Sequence, residues 1–298
     1  MSFTQTAPQI AIVTCAAFAE LDPDDQLLLP AFEAQGIQVS IEVWDDPTVN
    51  WAQFDLVLIR STWDYSPRRA EFIDWLTRLE TLTTLRNPVD VITWSSDKHY
   101  LNDLARNNVP IVPTTFFEVN DELVLPDDQF VIKPSISAGS RDTYRLSADK
   151  THEAIEAMNS IHASGRSVMV QPYLKSVDTA AETALIFIDG HFSHAIRKGP
   201  LLKLDNAAQE FHGGLFIKEE ITARTATDAQ REVAQRALAV APAGWLYARV
   251  DLIDDDHGNP VVLELEMVEP SLFFEVDSDP VTGAPGRLAS AIARVLQH

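Results

Sequence analysis

Two stretches near the end of this chain alternate charged and apolar residues, and this alternation restricts the fold more than any other feature. The first reads Arg249-Val-Asp251 and the second Leu263-Glu-Leu-Glu266. Because side chains alternate between the two faces of a β-strand, each stretch predicts a strand with a charged face and an apolar face. Gly258-Asn259 lies between them and predicts a hairpin turn, so the two charged faces come together.

The charged face of this predicted hairpin carries three carboxylates, from Asp251, Glu264 and Glu266. Like charges raise one another's pKa unless a cation lies among them, and oxygen-rich clusters suit Mg²⁺ that bridges nucleotide phosphates. The opposite face is apolar throughout and comprises Val250, Leu252, Leu263 and Leu265. A strand face of merely solvated charges is therefore the weaker interpretation, and we predict that the three carboxylates are metal ligands.

The first part of the chain predicts an open α/β lobe. Ile10-Ala-Ile-Val13 and Leu56-Val-Leu-Ile59 are continuously apolar, as expected of strands buried on both faces of a parallel sheet. Ligands of such sheets bind beyond the carboxyl ends of the strands. The segment Arg60-Ser-Thr-Trp-Asp-Tyr65 leaves the predicted strand Leu56–Ile59 at that edge. We predict that Arg60, Thr62, Trp63 and Asp64 contact the substrate, and a packing role for Trp63 between lobes stays an equal alternative.

The rest of the chain is dominated by predicted strands joined by hairpin turns such as Asp189-Gly190, so it predicts antiparallel sheets. Asn87-Pro88 interrupts the first pattern and marks a boundary. We predict three lobes, an N-terminal parallel α/β lobe at 1–95 followed by α+β lobes at 96–175 and 176–298.

Two lysines and a loop of small residues predict a phosphate site. Lys98 opens a helix and Lys133 ends the apolar strand Phe130-Val-Ile-Lys-Pro134. Lysines in such positions often only extend to water. The loop Ser137-Ala-Gly-Ser140 follows, and its N–H groups could bind phosphate as anion-binding nests do. A plain surface turn is an equally good interpretation of the loop taken alone.

Other polar groups indicate which chemistry to expect. Arg197 and Lys198 could neutralise charge that develops in phosphoryl transfer. His212 has no serine or cysteine nucleophile in a recognisable elbow, so a hydrolase triad is not supported. The first strand lacks a glycine-rich turn after Val13, which excludes an ordinary dehydrogenase.

The charge of the chain restricts its partners. The formal charge is −21, from 44 acidic and 23 basic residues. Nucleic acid and anionic lipid surfaces are repelled by such a protein. Cys15 is the single cysteine, and no apolar run approaches the roughly 20 residues that span a bilayer. We therefore expect a cytoplasmic protein, and leave open whether it forms a homo-oligomer.

A series of short motifs in a fixed order resembles the ATP-grasp superfamily. The motifs are Asp97-Lys98, Val131-Ile-Lys-Pro134, Ser137-Ala-Gly-Ser140, Val170-Gln-Pro-Tyr-Leu174, Arg249-Val-Asp251 and Glu264-Leu-Glu266. The resemblance extends from about residue 87 to the end of the chain. It implies an ATP-grasp fold, in which an α/β lobe is followed by two α+β lobes that clamp ATP.

The resemblance also implies roles for individual residues. Lys98, Lys133, Ser137, Gly139 and Ser140 would bind ATP, together with the interlobe hinge. The hinge comprises Gln171, Pro172, Tyr173 and Leu174, with Asp178 and Glu182 beyond it. Mg²⁺, as one or two ions and replaceable by Mn²⁺, would be held by Asp251, Glu264 and Glu266, although the family often has Asn at the position of Glu266. Arg197, Lys198 and Arg249 would be catalytic.

A narrower resemblance concerns the segment from Arg60 to Tyr65, Phe192-Ser-His-Ala-Ile-Arg-Lys198, His212-Gly-Gly214 and Glu264-Leu-Glu-Met-Val-Glu-Pro-Ser271. These motifs are similar to the group that contains the O-ureidoserine cyclo-ligase of cycloserine biosynthesis and is related to prokaryotic glutathione synthetase. His212 and Gly213 would then also contact the small, amino-acid-like substrate.

The implied activity is ATP- and Mg²⁺-dependent ligation through an acylphosphate, with cyclisation of O-ureidoserine to cycloserine in antibiotic biosynthesis as the first interpretation. A glutathione-synthetase-like or dipeptide carboxylate–amine ligase is the alternative within this class. A nucleotide-binding regulator without catalysis is a third interpretation, disfavoured because the expected lysines and carboxylates are all present.

Overall fold

The first sheet is parallel and contains the continuously apolar stretches. The computed structural model describes residues 7–202, 204, 211–212, 216–217 and 220–297. The strand order is β2-β1-β3-β4, and β1 and β3 are its buried central strands. The strands are β1 (Gln9–Thr14), β2 (Gln38–Val43), β3 (Leu56–Ile59) and β4 (Thr84–Arg86), with helices α1 (Leu28–Ala34) and α2 (Arg69–Glu80). Short 3₁₀ turns at Ala16–Phe18, Asp25–Leu27, Trp51–Gln53 and Ser66–Arg68 complete the connections.

Two short helices lead from the first sheet to the second. They are α3 (Val89–Ser95) and α4 (Tyr100–Arg106). The second sheet is antiparallel with the order β5-β8-β6-β7. Its elements are β5 (Thr115–Phe117), β6 (Phe130–Pro134), β7 (Tyr144–Leu146), α5 (Thr151–Ala163) and β8 (Val168–Pro172). One face of the sheet packs against α5 around Phe130, Ile132 and Ile161, so this part of the chain has a core of its own.

The third sheet is antiparallel with the order β13-β10-β9-β14-β15. Its elements begin with α6 (Val177–Ala180), β9 (Glu182–Ile188) and β10 (His191–Lys198), and a two-stranded ladder of β11 (Phe211–His212) and β12 (Phe216–Ile217) follows. The remaining elements are β13 (Ile221–Arg224), α7 (Asp228–Leu238), β14 (Tyr247–Asp254), β15 (Pro260–Glu266), a 3₁₀ turn at Phe274–Asp277 and α8 (Ala284–Val295). Asp189 and Gly190 both have positive φ, 52° and 77°, which the predicted hairpin turn between β9 and β10 requires.

The first and third sheets share a hydrophobic core. Ile12 and Phe32 of the first lobe belong to the same buried cluster as Ile186 of β9 and Leu288 of α8. The buried amide of Asn87 adds polar contacts between them. Its Nδ2 donates to the carbonyl oxygens of Tyr247 at 2.9 Å and Met267 at 2.8 Å, while its Oδ1 accepts from the Leu246 N–H at 2.6 Å. The two sheets are therefore joined through apolar packing and through an amide buried between them.

The predicted fold class is confirmed, since a parallel α/β sheet precedes two antiparallel α+β layers. Among the described residues, none of the helices combines the length and the apolar character that a membrane crossing requires.

Candidate active site

A cleft of about 510 Å³ is lined by residues of the second and third sheets and by residues that follow the strands of the first sheet. Most of the residues predicted from the sequence line it. They are Trp63, Lys98, Lys133, Ser137, Gly139, Ser140, Gln171, Pro172, Tyr173, Leu174, Glu182, Lys198, Arg249, Asp251, Glu264 and Glu266.

Five predicted residues are absent from the wall of this cleft, namely Arg60, Thr62, Asp64, Asp178 and Arg197. Two more cannot be placed, because the side chain of His212 and the whole of Gly213 lie outside the described residues.

The charged hairpin forms one wall of the cleft. Cross-strand pairing sets Arg249 opposite Glu266 and Asp251 opposite Glu264. The Arg249 guanidinium donates to both oxygens of Asp251, from Nε at 2.8 Å and Nη2 at 3.0 Å, and Nη2 also reaches Glu266 Oε1 at 2.5 Å. Lys198 Nζ lies 3.1 Å from Asp251 Oδ2 and 3.5 Å from Glu182 Oε2. The alternating pattern therefore places these groups in one ion-pair network.

Burial and nearby cations shift the pKa values of these carboxylates in opposite directions. Burial would raise the pKa of Asp251, but Arg249 and Lys198 outweigh it and lower this pKa to about 2. Glu264 is likewise desolvated, and Lys98 and Lys133 lower its pKa. Burial raises the pKa of Glu266 to about 7, opposed by Arg249 and assisted by the charge of Glu264. Glu266 is thus the hairpin carboxylate whose charged form burial disfavours most.

The hairpin offers the oxygen donors that Mg²⁺ prefers, because three carboxylates lie on one of its faces. Each of them is paired with a side-chain cation, however. In the part of the chain that the structure describes, no three carboxylate or imidazole side chains are already arranged around a position for a metal ion. A metal ion would have to displace part of the ion pairs, so metal binding by these residues stays a prediction.

Two buried lysines face the cleft from the second lobe. Lys133 lies one residue before the end of β6 and is 9% exposed, and burial lowers its pKa although the charge of Glu264 opposes this. Lys98 Nζ lies 2.9 Å from Glu264 Oε1 and donates to the Ser137 carbonyl oxygen at 3.0 Å. Lys98 therefore links the small-residue loop to the charged hairpin. In this loop Gly139 and Ser140 both have positive φ, 62° and 60°, a conformation that glycine adopts at no steric cost.

The predicted hinge follows β8 at the other end of the cleft. Gln171 Nε2 donates to Thr114 Oγ1 at 2.9 Å, and the Tyr173 N–H donates to the Gln129 carbonyl oxygen at 2.8 Å. The Tyr173 hydroxyl donates to Asp178 Oδ1 at 2.6 Å. Asp178 thus binds a hinge side chain in this structure and does not face the cleft, so a role at the ribose stays a prediction.

The sequence analysis missed the apolar wall beside this hinge. Five apolar side chains line the cleft here, namely Val112, Val131, Val177, Ile253 and Leu263. Three of them, Val112, Val177 and Ile253, are buried members of one hydrophobic cluster. A flat aromatic base can pack against such a surface. Val131 and Ile253 lie two residues from Lys133 and Asp251 on the same strands, so the period of two could have identified both.

Leu263 differs from the prediction that placed it on the apolar face. The register of β14 and β15 shifts after Asp251, because Asp251 pairs with Glu264 whereas Leu252 pairs with Val262. The extra residue in β15 is Leu263, which lines the cleft, while Val262 takes the core position and is fully buried. A β-bulge of this kind reverses the alternation locally.

Arg197 and Lys198 were predicted together, but only Lys198 lines the cleft. The two residues are adjacent on β10, where consecutive side chains point to opposite faces of the sheet. Lys198 is 9% exposed and bonded to Asp251. Arg197 therefore lies on the other face, away from the hairpin carboxylates.

In the segment after β3, too, only some of the predicted residues line the cleft. Arg60 is 1% exposed, and its guanidinium donates to Asp25 Oδ1 at 2.8 Å and to the Pro270 carbonyl oxygen at 2.7 Å. Asp64 accepts a bond from Trp44 Nε1 at 2.9 Å. Trp63 lines the cleft, and its Nε1 donates to the Glu269 carbonyl oxygen at 3.2 Å. Trp63 thus forms part of the cleft wall and also contacts another lobe, and its contact with the substrate stays a prediction.

This end of the cleft contains further acidic residues that the sequence analysis did not select. Asp24 and Glu269 line it beside Trp63. Burial, together with the charge of Asp25, raises the pKa of Asp24 to about 6. Burial, together with the charge of Glu266, raises the pKa of Glu269 to about 8. Neither residue belongs to a periodic pattern, although Glu269 lies within the motif from Glu264 to Ser271.

Comparison with known proteins gives consistent similarities over the whole chain. Residues 10–87 match the family model described as the N-terminal domain of the D-cycloserine synthetase DcsG. The cycloserine biosynthesis protein DcsG of Streptomyces lavendulae is 35% identical over 304 aligned residues, which cover 97% of this chain and 99% of that protein.

Solved structures extend the comparison to the fold. The crystal structure of the D-cycloserine synthetase DcsG has a TM-score of 0.86 at 33% identity, covering 97% of this chain and 99% of that one. The D-alanine–D-alanine ligase of Bacillus anthracis, complexed with ATP, has a TM-score of 0.66 at 16% identity and 98% coverage of both chains. The ATP-grasp ligase PsnB with Mg and ADP has a TM-score of 0.63 at 19% identity, with 100% and 99% covered.

Proposed function

Because the chain belongs to the family of the D-cycloserine synthetase DcsG, within the ATP-grasp ligases, we propose that it cyclises O-ureidoserine to cycloserine with ATP and Mg²⁺. The chain is an ATP-dependent ligase with the ATP-grasp fold. The observation that carries the proposal is the convergence of Lys98, Lys133, Lys198 and Arg249 with the hairpin carboxylates in one cleft.

The cations of the cleft suit phosphoryl transfer from ATP to a carboxylate. We assign Lys98 and Lys133 to the phosphates, because both are buried cations beside the loop from Ser137 to Ser140. Lys198 and Arg249 lie on the third sheet and would neutralise charge on the transferring group. In this step a carboxylate oxygen of the substrate attacks the γ-phosphorus, and the bond between the γ-phosphorus and the β-phosphate oxygen breaks. ADP is released, and the substrate becomes an acylphosphate.

Ring closure follows from the chemistry of the acylphosphate. The nitrogen bonded to the side-chain oxygen of O-ureidoserine attacks the activated carbonyl carbon, a five-membered ring forms, and phosphate leaves with the electron pair of the broken C–O bond. The proton lost by the nitrogen goes to a base or to solvent. Water then removes the carbamoyl group as carbamic acid, which decomposes to carbon dioxide and ammonia. The contribution of the protein to these steps is positioning and exclusion of bulk water.

The neighbouring ATP-grasp structures that contain ATP, or ADP with Mg, support the use of ATP and Mg²⁺. Mg²⁺ held by Asp251, Glu264 and Glu266 would neutralise the phosphates of ATP. Replacement by Mn²⁺ and the presence of two ions are parts of the proposal. The proposal also includes lobe boundaries after residues 95 and 175, a cytoplasmic location and a homo-oligomeric state.

The proposal is tested by incubating the purified protein with Mg-ATP and each enantiomer of O-ureidoserine. We expect equimolar ADP, phosphate and cycloserine from one enantiomer, measured by coupled assay and mass spectrometry. An Asp251→Asn variant purified in the same way controls for contaminating ATPases. A panel with γ-glutamylcysteine plus glycine, and with D-alanine, tests the alternative ligases.

The outcomes separate the candidate functions. ADP release that requires two co-substrates and yields no cyclic product would replace the cyclo-ligase by a dipeptide-type ligase. ATP binding without turnover of any member of the panel would favour the regulator.

A further inference from the structure

Tyr65 carries a hydroxyl group in the wall of the cleft that none of the proposed steps uses. It ends the segment that begins at Arg60, and it lines the cleft as Trp63 does. Tyr65 is only 3% exposed. Its ring belongs to the core of the first lobe and packs against Phe72, with the ring centroids 4.9 Å apart. Packing therefore fixes the ring, and only a small part of the residue meets the cleft.

The hydroxyl of Tyr65 has no hydrogen-bond partner among the described residues. Other unpartnered oxygens in this part of the chain, such as Thr62 Oγ1 and Ser135 Oγ, are sealed inside the protein, and the Tyr65 hydroxyl is not one of these sealed atoms. It is therefore reachable, and the cleft is the space that Tyr65 lines. Because a nearly buried hydroxyl without a hydrogen bond is unfavourable, this group is suited to a ligand that completes it.

The surroundings of this hydroxyl keep it uncharged. Burial, together with the negative charges of Glu269 and Glu266, raises the pKa of Tyr65 well above its ordinary value, although Arg69 opposes this shift. At neutral pH the group is therefore a phenol, which donates one hydrogen bond and accepts another. Such a group binds a neutral polar ligand, whereas a charged ligand is bound more strongly by an opposite charge.

One of the three polar parts of the proposed substrate matches a neutral hydroxyl. The carboxylate must reach the γ-phosphate beside the cations of the cleft, and the ammonium group is matched best by an acid. The ureido group is planar and uncharged, and it offers both a carbonyl oxygen and N–H donors. A hydroxyl beside an aromatic wall suits such a group, and Trp63, two residues from Tyr65, supplies that wall.

We propose that Tyr65 is a substrate-binding residue whose hydroxyl holds the ureido group of O-ureidoserine. The inference rests on the proposed function and specifies which part of the substrate this residue recognises. The carbamoyl group is bonded to the nitrogen that closes the ring, so a hydrogen bond to it also directs that nitrogen towards the activated carbonyl carbon. Tyr65 thereby distinguishes an O-ureido amino acid from other small amino acids.

The test compares O-ureidoserine with O-aminoserine, in which hydrogen replaces the carbamoyl group while the ring-closing nitrogen is kept. Both compounds, in the configuration that the wild type accepts, are assayed by ADP release and cycloserine formation. The variant is Tyr65→Phe, which removes only the hydroxyl. We expect it to lower kcat/KM for O-ureidoserine by about 10-fold, because one hydrogen bond to the substrate is lost. The loss for O-aminoserine should stay within about twofold.

Tyr144→Phe is the matched control, because Tyr144 lies on β7 and its partly buried side chain does not line the cleft. It should change kcat/KM for either compound by less than about twofold. Thermal melting is a second readout. The melting temperature of Tyr65→Phe should fall by less than about 2 °C or rise, because the hydroxyl bonds to none of the described residues. A larger fall would overturn the proposal, since it would reveal an internal partner.

The outcomes separate this proposal from the proposed function. Equal losses for the two compounds would assign the hydroxyl to ATP or to the amino-acid part and overturn the ureido contact, and so would no loss for either. Absence of cyclic product from the wild type would overturn the proposed function. Calorimetry with a non-hydrolysable ATP analogue then decides the contact alone. Weaker binding of O-ureidoserine by Tyr65→Phe, with O-aminoserine unchanged, would support it, whereas equal affinities in wild type and variant would overturn it.

Discussion

At the scale of single residues, the charged positions of the cleft could be predicted only where strand alternation applies. The spacing of Arg249, Asp251, Glu264 and Glu266 sufficed to bring them together, because one hairpin carries all four. The adjacent pair Arg197 and Lys198 was ambiguous, since alternation places one of them in the cleft without saying which. That choice depends on the register of β10 against β9, which separates it from the hairpin, and no local pattern encodes this register.

We predict that Lys198→Met lowers kcat/KM by about 100-fold, because it removes a cation from the position of charge development. It also leaves Asp251 and Glu182 without this partner, so the melting temperature should fall. Arg197→Met is the matched control on the same strand and should change kcat/KM by less than about threefold. Steady-state kinetics with thermal melting checks both, and equal losses for the two variants would contradict the assignment of Lys198.

Asp24 and Glu269 mark the limit of residue-level prediction. Asp24 precedes a 3₁₀ turn and Glu269 follows the last residue of β15, so neither lies in a repeating pattern. Their proximity to one cleft results from long-range packing around Arg60. These contacts join residues separated by 35 and 210 positions and cannot be derived from spacing.

At the scale of elements, most strands agree with their sequence patterns, and β15 shows where a pattern fails. The run Leu263-Glu-Leu-Glu266 predicts strict alternation, yet Leu263 lines the cleft. One bulged residue suffices to move it, and a bulge depends on the partner strand rather than on the residues of the strand itself. The result is an apolar side chain next to Glu264, on the surface proposed to contact the nucleotide.

A second element-level feature is the connection that Arg60 makes between the turn at Asp25–Leu27 and the segment after β15. We predict that Arg60→Met lowers the free energy of unfolding by about 3–5 kcal/mol, because Asp25 is left as an unpaired buried charge. Chemical denaturation measures this change. Asp25→Asn in the same background should recover part of the loss, since it removes that charge.

Arg68→Met is the control, because Arg68 forms ion pairs with Asp45 and Glu71 but its side chain is 37% exposed. Exposed pairs contribute about 1 kcal/mol or less. A similar loss for Arg60→Met and Arg68→Met would show that the buried connection contributes no more than a surface contact.

At the scale of the whole molecule, the fold class was accessible from sequence because apolar runs and alternating runs occupy different parts of the chain. Which segments share a hydrophobic core could not be predicted from the sequence. The core around Phe32 and Ile186 unites the beginning of the chain with β9 and α8. One face of the second sheet has a separate core around Phe130 and Ile161, whereas Met169 on its other face packs with the third sheet. Contacts between distant segments decide this grouping, and each segment alone is compatible with several partners.

Separate cores predict that the second lobe moves when ATP binds. We expect the loop from Ser137 to Ser140 to close over the phosphates, so that trypsin cleaves after Arg141 more slowly in Mg-ATP than without nucleotide. Cleavage after Arg106, whose side chain is 72% exposed at the end of α4, serves as the reference and should keep its rate. Mass spectrometry of the fragments over time measures both sites. Unchanged cleavage after Arg141 at saturating Mg-ATP would contradict closure.

The amide of Asn87 has a consequence for how such an enzyme can diversify. Its three bonds to Leu246, Tyr247 and Met267 join the first lobe to the strands that carry the charged hairpin. The surface proposed to meet the amino acid is therefore held by contacts that do not involve a nucleotide, and the second lobe is the part expected to move when ATP binds. Substitutions that alter the choice of amino acid and substitutions that alter nucleotide affinity should then accumulate independently, so that an ancestral scaffold can acquire new substrates while its energy source stays the same.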